Sequence, residues 1–162
     1  MRLILIGFAT SYKTSVGQIL AQKLGAEFWD TDWQVEKLLG QSVAQIFQTQ
    51  GEQAFRKVES QVLESLQNAQ GVISCGGGAV LSQSFPDFVQ NATVVWLQSS
   101  PQTIYDRLQH GTRPLFDGKS AAELQAQLAE RTPLYQKYAT LCVPTDGKTS
   151  QQVAEEIAQQ IQ

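Results

Sequence analysis

Leu3-Ile4-Leu5-Ile6 is an unbroken apolar run that ends at Gly7. A run of this length, with no polar alternation, fits a strand buried on both faces of a parallel sheet. From about Thr14, the residues Val16, Ile19, Leu20 and Leu24 recur at helical spacing, and Gly25 stops the pattern. Glu27-Phe28-Trp29 predicts a second short strand ending at Asp30-Thr31-Asp32. Three helical stretches are expected over 33–39, 43–50 and 52–67. Ser42 with Gln45 has the form of a capping box at the second, and Phe55, Val58, Val62 and Leu66 make one stripe on the third.

The alternation continues to the end of the chain. Val72-Ile73-Ser74-Cys75 predicts a third strand running into Gly76-Gly77-Gly78, and Thr93-Val94-Val95-Trp96-Leu97 a fourth. Ile104 and Leu108 mark a helix, and residues 111–119 a polar loop containing Arg113-Pro114. A helix is expected over 121–131, interrupted by Pro133 and resuming briefly to Tyr138. Leu141-Cys142-Val143 is the fifth strand, and Val153, Ile157 and Ile161 mark a closing helix. Strands separated by helices predict an α/β fold with a parallel sheet covered on both faces. Ligands of such sheets bind beyond the C-terminal ends of the strands. Gly7 to Thr14, Asp30 with Asp32, and Gly76 to Gly78 all fall there.

The first of these segments has the spacing of a phosphate-binding loop: a strand, Gly7, six residues to Lys13, then Thr14 and a helix. Backbone N–H groups at such a helix start cradle phosphate oxygens. Lys13 would reach the outer phosphates, and the Thr14 hydroxyl would bind magnesium. Thr10 and Tyr12 stand where related loops usually have glycine. At positive φ, a side chain there costs roughly 1–3 kcal/mol. Asp30 and Asp32 would project to one side if the strand continued, one near magnesium and one accepting a proton from a substrate hydroxyl. Helix capping is the competing role, most clearly for Asp32 before the Trp33 helix. Arg56 and Glu59, three apart on a helix, form either a surface ion pair or a site in which Arg56 grips a substrate carboxylate while Glu59 orients it or accepts from a hydroxyl. Three consecutive glycines, Gly76, Gly77 and Gly78, let backbone approach a ligand closely. Arg113 and Arg131 are candidates to neutralise charge during phosphoryl transfer, Arg113 from a mobile lid.

Composition narrows the partners. The 162 residues suit a single domain and carry a net charge of −3, which gives no broad basic surface for nucleic acid. Cys75 and Cys142 are too few for a disulfide framework and are expected to be buried, reduced thiols. His110, the only histidine, cannot build a histidine metal site and is expected in the polar loop. No run is long and apolar enough for a membrane span, and no signal-peptide pattern opens the chain, so a cytoplasmic location is expected.

These segments together resemble the shikimate kinase family nearly end to end. The matching stretches are Ile4-Leu5-Ile6-Gly7-Phe8, Lys13-Thr14-Ser15-Val16-Gly17, Phe28-Trp29-Asp30-Thr31-Asp32, Ile46-Phe47 with Gly51-Glu52, and Phe55-Arg56-Lys57-Val58-Glu59. Gly76-Gly77-Gly78-Ala79-Val80, Val94-Val95-Trp96-Leu97, Arg113-Pro114-Leu115 and Glu130-Arg131-Thr132-Pro133-Leu134-Tyr135 follow in order. The resemblance implies one domain over 1–162 with the three-layer P-loop kinase fold of the nucleoside monophosphate kinases and five parallel strands in order 2-3-1-4-5. It implies transfer of the ATP γ-phosphate to the 3-hydroxyl of shikimate, in aromatic amino-acid biosynthesis, with Mg2+ as cofactor and a monomeric enzyme. Under it, Gly7, Ser11, Tyr12, Lys13, Thr14 and Ser15 form the nucleotide loop. Thr14 holds magnesium directly and Asp30 through water. Asp32 contacts the shikimate hydroxyls as base, and Arg56 and Arg131 hold the shikimate carboxylate. Glu59 lies beside Arg56, and the backbone of Gly76 to Gly78 lies beside the ring. Arg113 is the lid arginine over 111–119, Arg107 stacks near adenine, and the helical region about 33–60 binds the acceptor. Two other readings stay open: a gluconate-type kinase of the same fold, and a shikimate-binding pseudokinase whose ATP use is impaired by Tyr12.

Overall fold

The computed structural model describes residues 1–110 and 120–161. Five strands make one sheet: β1 (Arg2–Ile6), β2 (Phe28–Asp30), β3 (Gly71–Ser74), β4 (Thr93–Gln98) and β5 (Leu141–Pro144). Their order is β2-β3-β1-β4-β5 and every pairing is parallel, as the resemblance implied. Side chains alternate between the faces of a strand, so β1 splits its apolar residues between two cores. Leu3 and Leu5 join Val95, Leu97 and Val143 under α1 (Lys13–Leu24) and α7 (Ser150–Ile161). Ile4 and Ile6 join Ile73, Val94 and Trp96 on the other face. There they pack against α2 (Thr31–Leu39), α3 (Val43–Ser65), α4 (Phe85–Phe88), α5 (Pro101–His110) and α6 (Ala121–Tyr138). Burial on both faces is why β1 reads as a continuous apolar run.

Local signals hold where they are strong. Ser42 accepts from the Gln45 N–H at 3.2 Å while the Gln45 side chain accepts from the Ser42 N–H at 3.0 Å, the expected capping box. The break expected between 50 and 52 is Gly51, whose φ of +86° interrupts α3. Only glycine takes such a φ without strain.

Four expectations fail. Pro133 does not interrupt its helix, because α6 runs through it to Tyr138. The missing N–H is outweighed by packing: Leu124 and Tyr135 are buried, with Leu128, Leu134 and Tyr138 against the same core. The strand β2 does not continue to Asp32, since helix begins at Thr31. Cys75 is buried as expected, but Cys142 is exposed, because β5 is an edge strand and this residue faces out from it. His110 is the last residue of α5 rather than part of a loop. The expected lid, 111–119 with Arg113, lies outside the described residues. Among those described, no helix is long and apolar enough to cross a membrane.

Candidate active site

The phosphate loop leaves β1 at Gly7, where a side chain would lie 2.7 Å from the Leu97 carbonyl oxygen. Thr10 and Tyr12 both adopt the left-handed conformation, with φ of 67° and 68°. The loop therefore follows a course suited to glycine without glycine at either position, at roughly 1–3 kcal/mol apiece. Ser11 is buried, and its hydroxyl donates to the Phe8 carbonyl at 2.7 Å. Lys13 is also buried. Its Nζ donates to the carbonyls of Gly7 and Phe8, each at 2.8 Å, and to Ser11 Oγ at 3.3 Å. The ammonium thus sits inside the curve of the loop. Ser15, at the start of α1, is exposed.

Arg107, from α5, contacts this loop at two residues. Its guanidinium carbon is 4.0 Å from the centre of the Tyr12 ring, and its Nη1 donates to the Thr10 carbonyl at 2.8 Å. The same guanidinium donates to Ser99 Oγ at 3.2 Å, and to Thr145 Oγ1 and the Thr145 carbonyl at 3.3 Å each.

Asp30 ends β2 and performs two tasks. Its Oδ1 caps α2 by accepting from the Trp33 N–H at 3.1 Å, and its Oδ2 accepts from the Thr14 hydroxyl at 2.8 Å. The cap expected of Asp32 is thus made by Asp30, and Asp32 is left free of it in the first turn of α2. Asp32 faces the glycine segment: a side chain on Gly76 would meet its Oδ1 at 2.5 Å. Burial pushes the Asp32 carboxyl up to about 7. The neighbouring charges of Asp30 and Glu59 add to that push, and Lys13 opposes it.

Gly76, Gly77 and Gly78 follow β3, and none of them has a positive φ. Space is what Gly76 and Gly78 supply, while Gly77 stands at ordinary contact distance from its neighbours. A side chain on Gly78 would lie 2.6 Å from Cζ of Arg56, and one on Gly77 would lie 3.6 Å from Nη1 of Arg131. One carboxylate and two guanidiniums therefore converge on three residues of bare backbone. Arg56 donates to Glu59 Oε1 at 2.9 Å, and Glu59 is only 1% exposed, so the pair is no surface ion pair. Burial raises the Glu59 carboxyl above its ordinary value, with Arg56 and Arg131 pulling it back. Glu59 Oε2 and Arg56 Nε are buried without a hydrogen-bond partner. Arg131 packs over the Phe8 ring at 5.3 Å.

The structure adds residues that the sequence reading passed over. The Thr31 hydroxyl accepts from the Gly76 N–H at 2.9 Å and ties the glycine segment to α2. Tyr135 donates to the Gly77 carbonyl at 2.6 Å. Both lie inside the motifs already quoted, so a signal existed. Ser99 and Thr145, which anchor Arg107, carry no local signal at all.

The donors near the loop suit one metal type. Among the described residues no group of three or more His, Cys, Asp or Glu could hold a metal. Thr14 and Asp30 offer one hydroxyl and one carboxylate, all oxygen. That set is too sparse for a protein-built cage but fits Mg2+, which keeps several waters and shares its sphere with phosphates.

The family model for shikimate kinase matches residues 10–162. The chain belongs to the shikimate kinase family. A shikimate kinase of Moorella thermoacetica is 42% identical over 158 residues, covering 96% of this chain and 91% of the relative. A solved shikimate kinase from Acinetobacter baumannii, in complex with shikimate, superposes with a TM-score of 0.92 at 32% identity, covering 99% of this chain and 92% of that one. A gluconokinase from Sinorhizobium meliloti shares the fold alone, at 18% identity and a TM-score of 0.61 over 96% of this shikimate kinase-family chain and 87% of its own.

Proposed function

We propose that this chain transfers the γ-phosphoryl group of ATP to the 3-hydroxyl of shikimate, giving shikimate 3-phosphate and ADP. The observation that carries this reading is the convergence of Asp32, Arg56 and Arg131 on Gly76 to Gly78. An acceptor with a carboxylate on one side and a hydroxyl on the other matches two cations opposite one near-neutral base. Arg56 and Arg131 hold the carboxylate through charge-assisted hydrogen bonds. The orphaned Glu59 Oε2 and Arg56 Nε gain partners when a polar acceptor enters, which recovers the desolvation cost of each. The acceptor region spans α2 and most of α3, about residues 33–60.

Asp32 acts as the general base. Its carboxyl near 7 makes it a far better proton acceptor than an ordinary carboxylate at neutral pH. It takes the proton from the 3-hydroxyl as that oxygen forms its bond to the γ-phosphorus. The bond from the γ-phosphorus to the β–γ bridging oxygen breaks, and the electron pair leaves with ADP. Lys13 exchanges its contacts with the loop carbonyls for phosphate oxygens, and the loop N–H groups cradle the phosphates. Thr14 would hold Mg2+ directly and Asp30 through water. When bound, Mg2+ neutralises charge on the phosphate oxygens. Arg113, outside the described residues, takes the charge-neutralising role of the lid arginine that the resemblance implies, and the enzyme works as a monomer.

A coupled assay of ADP release with shikimate, gluconate and a nucleoside monophosphate tests the reading. Turnover with shikimate alone is expected. No turnover with shikimate at saturating ATP and Mg2+ overturns it, and turnover with gluconate moves the chain to the gluconate-type alternative.

A further inference from the structure

The phosphate loop takes two left-handed residues that are not glycine, and one side chain touches both. Arg107 donates to the carbonyl of Thr10 and sits over the ring of Tyr12, its guanidinium carbon 4.0 Å from the ring centre. We propose that Arg107 is a positioning residue that braces the phosphate loop from outside, holding Thr10 and Tyr12 in the left-handed course that phosphate binding needs.

The brace has a firm foundation. Ser99 follows the C-terminal end of β4, and Thr145 follows β5. Their hydroxyls lie 2.5 Å apart, and Thr145 also donates to the Gln98 carbonyl at 3.1 Å. Arg107 spans from this sheet-anchored pair to the loop, so the sheet itself holds the loop's curvature. The pull is needed because the loop resists. Besides the positive φ at both residues, the Thr10 hydroxyl is buried without a hydrogen-bond partner. A loop released from Arg107 would leave the left-handed region for ordinary backbone. Apparent nucleotide affinity then falls by the fraction of molecules that keep the competent loop. In this account Tyr12 does more than fill a glycine position, because its ring is the surface through which the brace acts. A glycine at 10 and 12 takes the left-handed course at no steric cost, so it removes the need for a brace.

The inference rests on the nucleotide-binding reading of this loop, and a binding experiment separates the two. ADP and inorganic tripolyphosphate are titrated calorimetrically into the wild-type chain, Arg107→Ala, Arg107→Lys, Thr10→Gly/Tyr12→Gly and the triple variant with Arg107→Ala, after thermal melts confirm folding. In the native background, Arg107→Ala is expected to weaken both ligands about tenfold, and Arg107→Lys to fall between, since an ammonium lacks the planar fork. In the glycine background, the same change is expected to cost less than about threefold. Equal losses in both backgrounds would overturn the brace and make Arg107 a direct ligand contact. Loss of ADP binding with tripolyphosphate unaffected would overturn it in favour of base recognition. No loss in either background would also overturn it. Wild-type chain that binds ADP but does not turn over shikimate would refute the proposed function and leave the brace standing.

Discussion

The donor loop and the glycine segment use glycine in opposite senses. At Gly76 to Gly78 the backbone is ordinary, with no positive φ, and at Gly76 and Gly78 the missing side chain leaves space to Asp32 and Arg56. At Thr10 and Tyr12 the backbone is left-handed, yet glycine is absent. Crowding at Gly76 or Gly78 is relieved only when the Asp32 carboxylate or the Arg56 guanidinium moves away, and that displaces the group the site uses. Backbone strain can be relieved, because a cation stacked on the ring and bonded to the carbonyl offsets a cost of a few kcal/mol. The acceptor side therefore needs glycine at 76 and 78 to keep Asp32 and Arg56 in place, whereas the donor side tolerates the loss of glycine once Arg107 is in place.

The largest effect expected on the acceptor side is from Asp32→Asn. Turnover should fall roughly 100- to 10,000-fold, as for loss of a general base, with the KM for shikimate little changed. The same variant should be more stable, in a pH-dependent way. The folded-state value near 7 lies above the ordinary 3.8, so ionising Asp32 destabilises the wild type progressively as pH rises from about 4 to about 7. The gain in melting temperature should be small at pH 4 and reach roughly 5 °C at pH 8. A gain that shrinks with rising pH would remove the near-neutral carboxyl from the account.

Gly78→Ala tests the claim of space. The added carbon would lie 2.6 Å from Arg56 Cζ, so Arg56 must move. The KM for shikimate should rise about tenfold or more while the KM for ATP stays near wild type. An unchanged shikimate KM would mean that Arg56 does not hold the acceptor.

The pH profile is a gentler test. In kcat/KM for shikimate, measured well below ATP saturation, an acid limb near pH 7 is expected, since Asp32 must be ionised to accept a proton. A limb at the ordinary carboxylate range would assign the base elsewhere.

The smallest effect is expected from Tyr12→Gly. ADP should bind as tightly as to the wild type or up to a few-fold more tightly, because glycine removes the strain as it removes the ring. Weaker binding would show that the tyrosine itself serves the nucleotide, and the contrast between the two glycine sites would fail.

Much of this molecule was legible in its sequence. The apolar runs of β1, β3 and β4 are continuous because both faces are buried, and the helical stripe of α3 names its core face. The capping box at Ser42 and the break at Gly51 are local chemistry, and local chemistry reads directly from residue order. The same is true of the spacing from Gly7 to Lys13 and of the motifs that mark the shikimate kinase family. What the sequence left open was long-range. Whether Asp30 or Asp32 caps α2 depends on where β2 ends, and Pro133 stays in its helix because Leu124 and Tyr135 are packed in the core. Whether Arg56 and Glu59 form a surface pair or a buried one depends on what covers them, and the cover comes from other segments. The contact of Arg107 with Thr10 spans 97 positions, which no periodicity records. Sequence by itself determined the five strands, most of the helices, the family and the residue types of both sites. Only the tertiary structure decided how those residues are charged, strained and braced, because burial and neighbouring charge belong to segments far apart along the chain.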